Sequence, residues 1–260
     1  MTFQERKKII VSAVYEAGSL SVFELAEVLG TSPATIRRDL HEISEDGLLI
    51  RTHGGAMKPE SQVVTSFAGK KDQFDNRKRM IGEAAASYVQ DGDTIFMDCG
   101  STVFQMCAHL KKKVNIRIIT NSLPVIAELI DIPSIRINLV GGELDKSRKA
   151  VHGEKAIQHV NSYHAAKAFI GVDGISPENG LTAHSEAESS ITTAYIKNAD
   201  NVFLLCDSSK IGRNSYIKFA ALNEVSCLVT DDQLDKHAVR SLKENGIGEI
   251  VAVSLALQAF

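Results

Sequence analysis

The segment from Ser21 to Leu40 constrains the fold of this chain more than any other. Ser21 followed three residues later by Glu24 is a capping-box signature, and Val22, Leu25, Ala26 and Leu29 repeat at i, i+3, i+4, i+7 until Gly30 stops them. Ser32 then supplies a second N-cap, with Pro33 at the first helical position behind it. Two helices therefore meet across a very short turn. Upstream, Ile9, Ile10, Ala13 and Val14 recur at helical spacing before Gly18, which predicts a first helix over residues 3–17.

The third helix is expected to run from Pro33 to about Asp46, ahead of Gly47. Ile36, Leu40 and Ile43 share one face, which sends Ala34, Arg38 and His41 to the opposite face with Thr35 and Arg37 on its flanks. That outward surface is short, polar and cationic. Arginine bonds guanine in bidentate fashion in the major groove, and small methyl-bearing residues contact thymine. Ser32 and the helix N-terminus suit a phosphate. After Gly47, Leu48-Leu49-Ile50-Arg51-Thr52 reads as a strand and His53-Gly54-Gly55-Ala56 as a tight turn into its partner. This hairpin is expected to form a wing, with Arg51 and His53 placed to reach the DNA backbone or minor groove.

Charge supports specific rather than indiscriminate nucleic-acid binding. The net charge is -3, and residues 1–57 hold six basic side chains against eight acidic ones. Affinity must then come from where the arginines sit.

The run Ser32-Pro33-Ala34-Thr35-Ile36-Arg37-Arg38-Asp39-Leu40 is followed, eleven residues after Leu40, by Arg51-Thr52-His53-Gly54-Gly55-Ala56. In this the chain resembles the DeoR family of bacterial transcription regulators, whose pattern S-x-x-T-I-R-R-D-L, then a glycine, then R-x-H-G-G-A, it matches at every position. The resemblance implies a winged helix-turn-helix, usually a repressor, that binds double-stranded operator DNA. It places Arg37 and Arg38 in the recognition helix and the wing at Arg51 to Gly55. With the residue reading above, the expected DNA-binding set is Ser32, Pro33, Ala34, Thr35, Arg37, Arg38, His41, Arg51, His53, Gly54 and Gly55.

Residues 58–75 carry Pro59 and Gly69 without steady periodicity and read as a linker between a DNA-binding domain at 1–57 and a larger domain at 76–260. From Asn76, the residues Met80, Ile81, Ala84, Ala85, Tyr88 and Val89 make an amphipathic helix, and Asp91-Gly92-Asp93 turns the chain. Short apolar segments at 94–97, 116–119, 135–140, 168–172, 202–206, 227–230 and 250–253 then alternate with helical stretches. The pattern predicts an α/β domain with a mostly parallel sheet covered on both faces, and ligands in such sheets gather at the carboxyl ends of the strands.

Polar clusters recur at those ends: Asp98-Cys99-Gly100-Ser101-Thr102, Thr120-Asn121-Ser122, Gly141-Gly142, Asp173-Gly174 and Asp207-Ser208-Ser209-Lys210. Singly, each reads as a turn with a capping side chain. Together they suit a sugar phosphate, whose hydroxyls need acceptors and whose phosphate needs donors and positive charge. Neither G-x-G-x-x-G nor G-x-x-x-x-G-K-[ST] stands in the register a nucleotide requires.

The family resemblance runs through this half as well. It implies a sensor domain of the ribose-5-phosphate isomerase and CoA-transferase type of fold. The effector pocket is then lined by Asp98, Gly100, Ser101 and Thr102, by Thr120, Asn121 and Ser122, by Gly141 and Gly142, by Asp173 and Gly174 in G-x-D-G-I, and by Asp207 and Lys210 in D-S-S-K. Where relatives carry E-A-x-V-K-R, this chain has Glu188-Ser189-Ser190-Ile191-Thr192-Thr193, without the basic pair. Glu186-Ala187 offers a second register, so Glu188 and Glu186 both remain open for the effector site.

Cys99, Cys107, Cys206 and Cys227 form no C-x-x-C pair, and the eight histidines no H-x-x-x-H pair, so neither metal nor cofactor is expected. No apolar run approaches the roughly 20 residues that cross a bilayer, and the first residues lack a signal-peptide core, so a cytoplasmic protein with no membrane partner is expected. The leading expectation is a repressor of sugar metabolism, at least a homodimer, whose operator affinity is set by a phosphorylated sugar. The alternative is a sugar-phosphate isomerase or transferase-like enzyme using Asp98, Asp173, Glu188 and Lys210. A metabolic enzyme has no need of Arg37, Arg38 and a wing.

Overall fold

The computed structural model describes residues 2–45, 48–52, 54–57 and 75–254. The chain divides into two compact units, Met1–Val64 and Thr65–Phe260. His53 and residues 58–74, nearly all of the expected linker, lie outside the described residues.

The first unit runs α1 (Phe3–Ala17), β1 (Ser19–Ser21), α2 (Val22–Leu29), α3 (Pro33–Glu45), β2 (Ile50–Arg51) and β3 (Gly55–Met57). Thr2 with Glu5 and Ser21 with Glu24 both form complete capping boxes, which satisfy backbone donors at the starts of α1 and α2. Gly30 ends α2 in the left-handed conformation, at φ 57°. Ile10, Val14, Leu25, Ile36, Leu40 and Ile43 pack into one core.

The three strands order as β1-β3-β2, all antiparallel. The sequence reading missed β1, a short strand that ends on a helix cap. It explains the second of the two glycines after position 53: a Cβ on Gly55 would stand 2.1 Å from the Leu20 carbonyl oxygen, whereas one on Gly54 would meet nothing within 4 Å. Only glycine lets β3 close onto β1.

The second unit opens with α4 (Asp75–Ser87), β4 (Thr94–Met97), α5 (Ser101–Phe104), α6 (Cys107–Leu110), β5 (Ile116–Thr120), α7 (Leu123–Leu129) and β6 (Ile135–Leu139). It continues through β7 (Glu143–Asp145), β8 (Ala150–His152), α8 (Glu154–Val160), β9 (Ala165–Ile170), β10 (Gly174–Ser176), β11 (Gly180–Ala183) and α9 (Glu186–Lys197). It closes with β12 (Ala199–Leu205), β13 (Ile217–Ala220), β14 (Cys227–Asp231), α10 (Lys236–Glu244) and β15 (Glu249–Val253).

All seven apolar segments foreseen as strands fall in one parallel sheet of order β15-β14-β12-β9-β4-β5-β6. Alternate residues of each strand feed opposite cores, as period-two geometry requires. Phe96, Ala168, Val202 and Leu204 join the side chains of α8 and α9 on one face. Ile95, Met97, Phe169, Phe203 and Leu205 join those of α4, α6 and α7 on the other.

Two further pieces stand outside that sheet: the antiparallel β7-β8 hairpin and a three-stranded antiparallel sheet, β10-β11-β13. The sequence reading contains neither, because strands of three or four residues show too little alternation to stand out. Among the described residues, no helix is long and apolar enough to cross a membrane.

Candidate functional site

The outward surface of α3 is built by its core face. With Ile36, Leu40 and Ile43 at 0–1% exposure, the residues between them are forced outward. Ala34, Arg37, Arg38 and His41 are exposed, while Pro33 and Thr35 are half-buried. Ser32 is exposed and caps the helix, accepting from the Thr35 backbone N–H at 3.2 Å while its hydroxyl meets that of Thr35 at 2.9 Å. Arg51 and Gly54 are exposed on the hairpin, whereas Gly55 is buried against β1. The Thr52 N–H donates to the Gly55 carbonyl at 3.0 Å and closes the turn. Asp39, within the same helix, turns inward to an ion pair with Arg6.

In the second unit a cavity of about 240 Å³ opens over the carboxyl ends of three adjacent strands, β12, β9 and β4. Of the residues expected to bind an effector, it brings together Asp98, Gly100, Ser101, Thr102, Asp173, Glu188, Asp207 and Lys210. Most of the carboxylates already organise the backbone. Asp98 accepts from the Cys99 N–H at 2.7 Å and from the Gly171 N–H at 3.2 Å, which ties the end of β4 to that of β9. Asp173 accepts from the His184 N–H at 3.1 Å, and Asp207 from the Ser209 N–H at 3.1 Å. Glu188 faces the cavity and pairs with Arg148, while Glu186 is exposed and does not line it.

The remaining residues of that expected set stand elsewhere. Thr120, Asn121 and Ser122 are fully buried at the end of β5, beneath the β7-β8 hairpin. The Asn121 carbonyl accepts from the Val151 N–H, and the Leu123 N–H donates to the Lys149 carbonyl, both at 2.9 Å. The Thr120 hydroxyl donates to the Met97 carbonyl at 2.7 Å. This segment fixes the hairpin rather than lining the cavity. Gly141 and Gly142 are exposed at the entry to β7, and Gly174 is buried on β10.

Three cations of the cavity escaped the sequence reading: Lys78 from α4, Arg148 from the β7-β8 hairpin and Arg213 from the loop before β13. None stands in a recurring motif, and two come from elements that periodicity did not reveal. Burial opposes the Arg148 charge, but Glu188 and the neighbouring Cys99, Asp173 and Asp98 outweigh it, and its pKa lies above the ordinary arginine value. His152 shifts the other way, because burial disfavours its charged ring.

Linear spacing gave no metal motif, yet among the described residues the fold gathers one set of donors. Atoms of Cys99, His152 and Glu188 lie within 4.8 Å of one another. With Glu188 already held by the Arg148 guanidinium, the positive charge at this point is supplied by the protein itself.

Residues 6–62 match the family model for the DeoR-like helix-turn-helix domain, and residues 73–232 match that for the DeoR C terminal sensor domain. The chain belongs to the DeoR family. Its DeoR-family relatives include the HTH-type transcriptional repressor GlcR of Bacillus subtilis, 35% identical, with 95% of this chain and 96% of that protein covered. The HTH-type transcriptional regulator GlpR of Haloferax volcanii is 33% identical over 96% of this chain and 98% of that one. The glycerol-3-phosphate regulon repressor of Escherichia coli is 33% identical over 87% and 90%. Likeness to solved structures is slighter: ribose 5-phosphate isomerase A from Methanocaldococcus jannaschii covers 53% of this DeoR-family chain and 54% of its own, at 17% identity and a TM-score of 0.39.

Proposed function

We propose that this DeoR-family chain represses a sugar-metabolism operon, and that a phosphorylated sugar bound in the cavity of the second unit weakens its hold on operator DNA. One observation carries the reading: Lys78, Arg148, Lys210 and Arg213 converge on a cavity whose other polar walls are hydroxyls and carboxylates. A ligand that presents a doubly charged phosphate and several hydroxyls matches both halves of that lining. The relative named for glycerol-3-phosphate agrees with this chemistry. Coupling between two such sites is typically about 1 to 3 kcal/mol, or roughly 5- to 150-fold in operator affinity.

The working assembly is at least a homodimer, because one winged helix covers one half-site of a two-fold operator. The cavity senses rather than catalyses. Asp98 spends both carboxylate oxygens on backbone N–H groups and Glu188 is tied to Arg148, so neither is poised to shuttle a proton. The reading requires no metal or redox cofactor.

Operator affinity of the full chain, measured against a panel of glucose 6-phosphate, fructose 1-phosphate, glycerol 3-phosphate and their unphosphorylated counterparts, tests the proposal. At least one phosphorylated compound is expected to release DNA while its unphosphorylated counterpart does not. Release by none of them, or turnover of any of them, would overturn it.

A further inference from the structure

The helix that opens the second unit carries a cation where its pattern calls for an apolar residue. Ile81, Ala85, Ala86 and Val89 form the buried face of α4 and its continuation at i+3, i+7, i+8 and i+11 from Lys78. Lys78 heads that stripe at 5% exposure, on the core side of the helix, and lines the cavity. Lysine is almost never buried to this degree unless it is paired, since the charged form loses its hydration.

One turn further on, Gly82 shows how closely the helix packs. A Cβ there would lie 2.5 Å from Gln105 Cβ and 2.8 Å from the Gln105 carbonyl carbon. Lacking one, α4 presses directly onto the chain that follows α5, the short helix of Ser101 and Thr102. Lys78 and Gly82 are four residues apart and share a face, so the contact that seats Gly82 also sets the side of α4 from which Lys78 lines the cavity. In the opposite direction, α4 begins at Asp75, and residues 58–74 join it by covalent chain to the DNA-binding unit.

We infer that Lys78 is the residue through which effector occupancy acts on the DNA-binding unit: an anion in the cavity draws on the first turn of α4, the one element of the cavity wall that continues straight into the connecting chain. Lys210, Arg148 and Arg213 hold the ligand from elements that do not. The inference rests on the effector reading above and adds to it a division of labour. Loss of Lys210 weakens effector binding, whereas loss of Lys78 removes the response even at saturation.

The test uses the full-length chain, the active phosphorylated compound of the panel above, and two readouts: effector affinity by calorimetry, and the ratio of operator affinities without and with saturating effector. For Lys78→Met the ratio is expected to collapse to within about twofold of one. For Lys210→Ala effector affinity is expected to drop while the ratio at saturation stays near the wild-type value. Lys78→Arg, which keeps the charge, should recover most of the response. A wild-type ratio in saturated Lys78→Met would overturn the inference and leave the effector reading standing. If no compound moves wild-type operator binding, both fall together. Should Lys78→Met fail to fold, amide exchange on the wild type decides: effector is expected to change protection at residues 76–80, and unaltered exchange there would overturn the inference.

Discussion

Arg6 on α1 grips Asp39 on α3 with two parallel hydrogen bonds, Nε to Oδ2 at 2.6 Å and Nη2 to Oδ1 at 2.9 Å. Asp39 is buried, at 2% exposure, and its neighbour Arg38 points the opposite way into solvent. The pair thus sets the rotation of α3 about its own axis, and with it the direction in which Arg37 and Arg38 project. Planar fork-to-carboxylate geometry is what makes arginine the suitable partner.

Breaking that pair is expected to disturb folding and DNA binding together. In Asp39→Ala the guanidinium of Arg6 loses its two bonds to that carboxylate, so the thermal midpoint of the DNA-binding unit falls and operator affinity falls with it. Arg6→Lys, with Asp39 in place, should retain only part of both, since an ammonium cannot bond two oxygens in parallel. Calorimetric scans paired with operator titrations check this, and an unchanged midpoint in Asp39→Ala would refute it.

Arg38 is exposed on the opposite side of α3 and has no part in that core. Arg38→Ala is expected to cost about 1 to 3 kcal/mol of operator affinity and to relax preference at one base pair if the side chain reads a base. Contact with phosphate alone would instead weaken all sequences equally and reduce the salt slope by about one. Titrations on the operator and on single-base variants at several salt concentrations separate the two.

Tyr195 is fully buried and serves Asn121 twice: its hydroxyl accepts from the Asn121 backbone N–H at 3.1 Å and donates to the Asn121 side-chain oxygen at 3.2 Å. Tyr195→Phe leaves a buried donor and acceptor unmet and is expected to cost about 1 to 3 kcal/mol of stability. Denaturant unfolding measures it. Because Asn121 seats the hairpin that carries Arg148, effector affinity should weaken as well.

His152 gives the fold a dependence on acid. Burial holds its pKa below the ordinary 6.5, so the unfolded chain takes up the proton first. Its contribution is complete above that ordinary value and is lost as pH falls through it toward the lower folded value. Thermal midpoints followed downward from about pH 7.5 should therefore fall less steeply in His152→Gln than in the wild type. Parallel curves for the two proteins would count against a buried, neutral imidazole.

The helices of the DNA-binding unit were legible because their signals are local. A capping box, Pro33 behind Ser32 and Gly30 at a helix end each act within about one turn of backbone. The seven strands of the large sheet were legible for a related reason, since an apolar run bounded by turn residues has few other places to go. Where period and caps were weak, elements were missed: β1 overlaps a helix cap, and β7, β8, β10, β11 and β13 are three or four residues long. Those short strands carry or border Arg148, Asp173 and Arg213.

Sequence alone determined the family, the outward polar surface of α3 and the carboxyl ends of strands as the place to look for a ligand. It did not decide which strand ends share a cavity. Thr120-Asn121-Ser122 and Asp98-Cys99-Gly100-Ser101-Thr102 look alike as turns, yet one is sealed beneath a hairpin and the other opens into the cavity. Only tertiary structure chose between them, and only it brought Lys78, Arg148 and Arg213 to the same space. Strand order and packing bring together residues far apart in the chain, whereas a sequence pattern reports only the free-energy preferences of near neighbours.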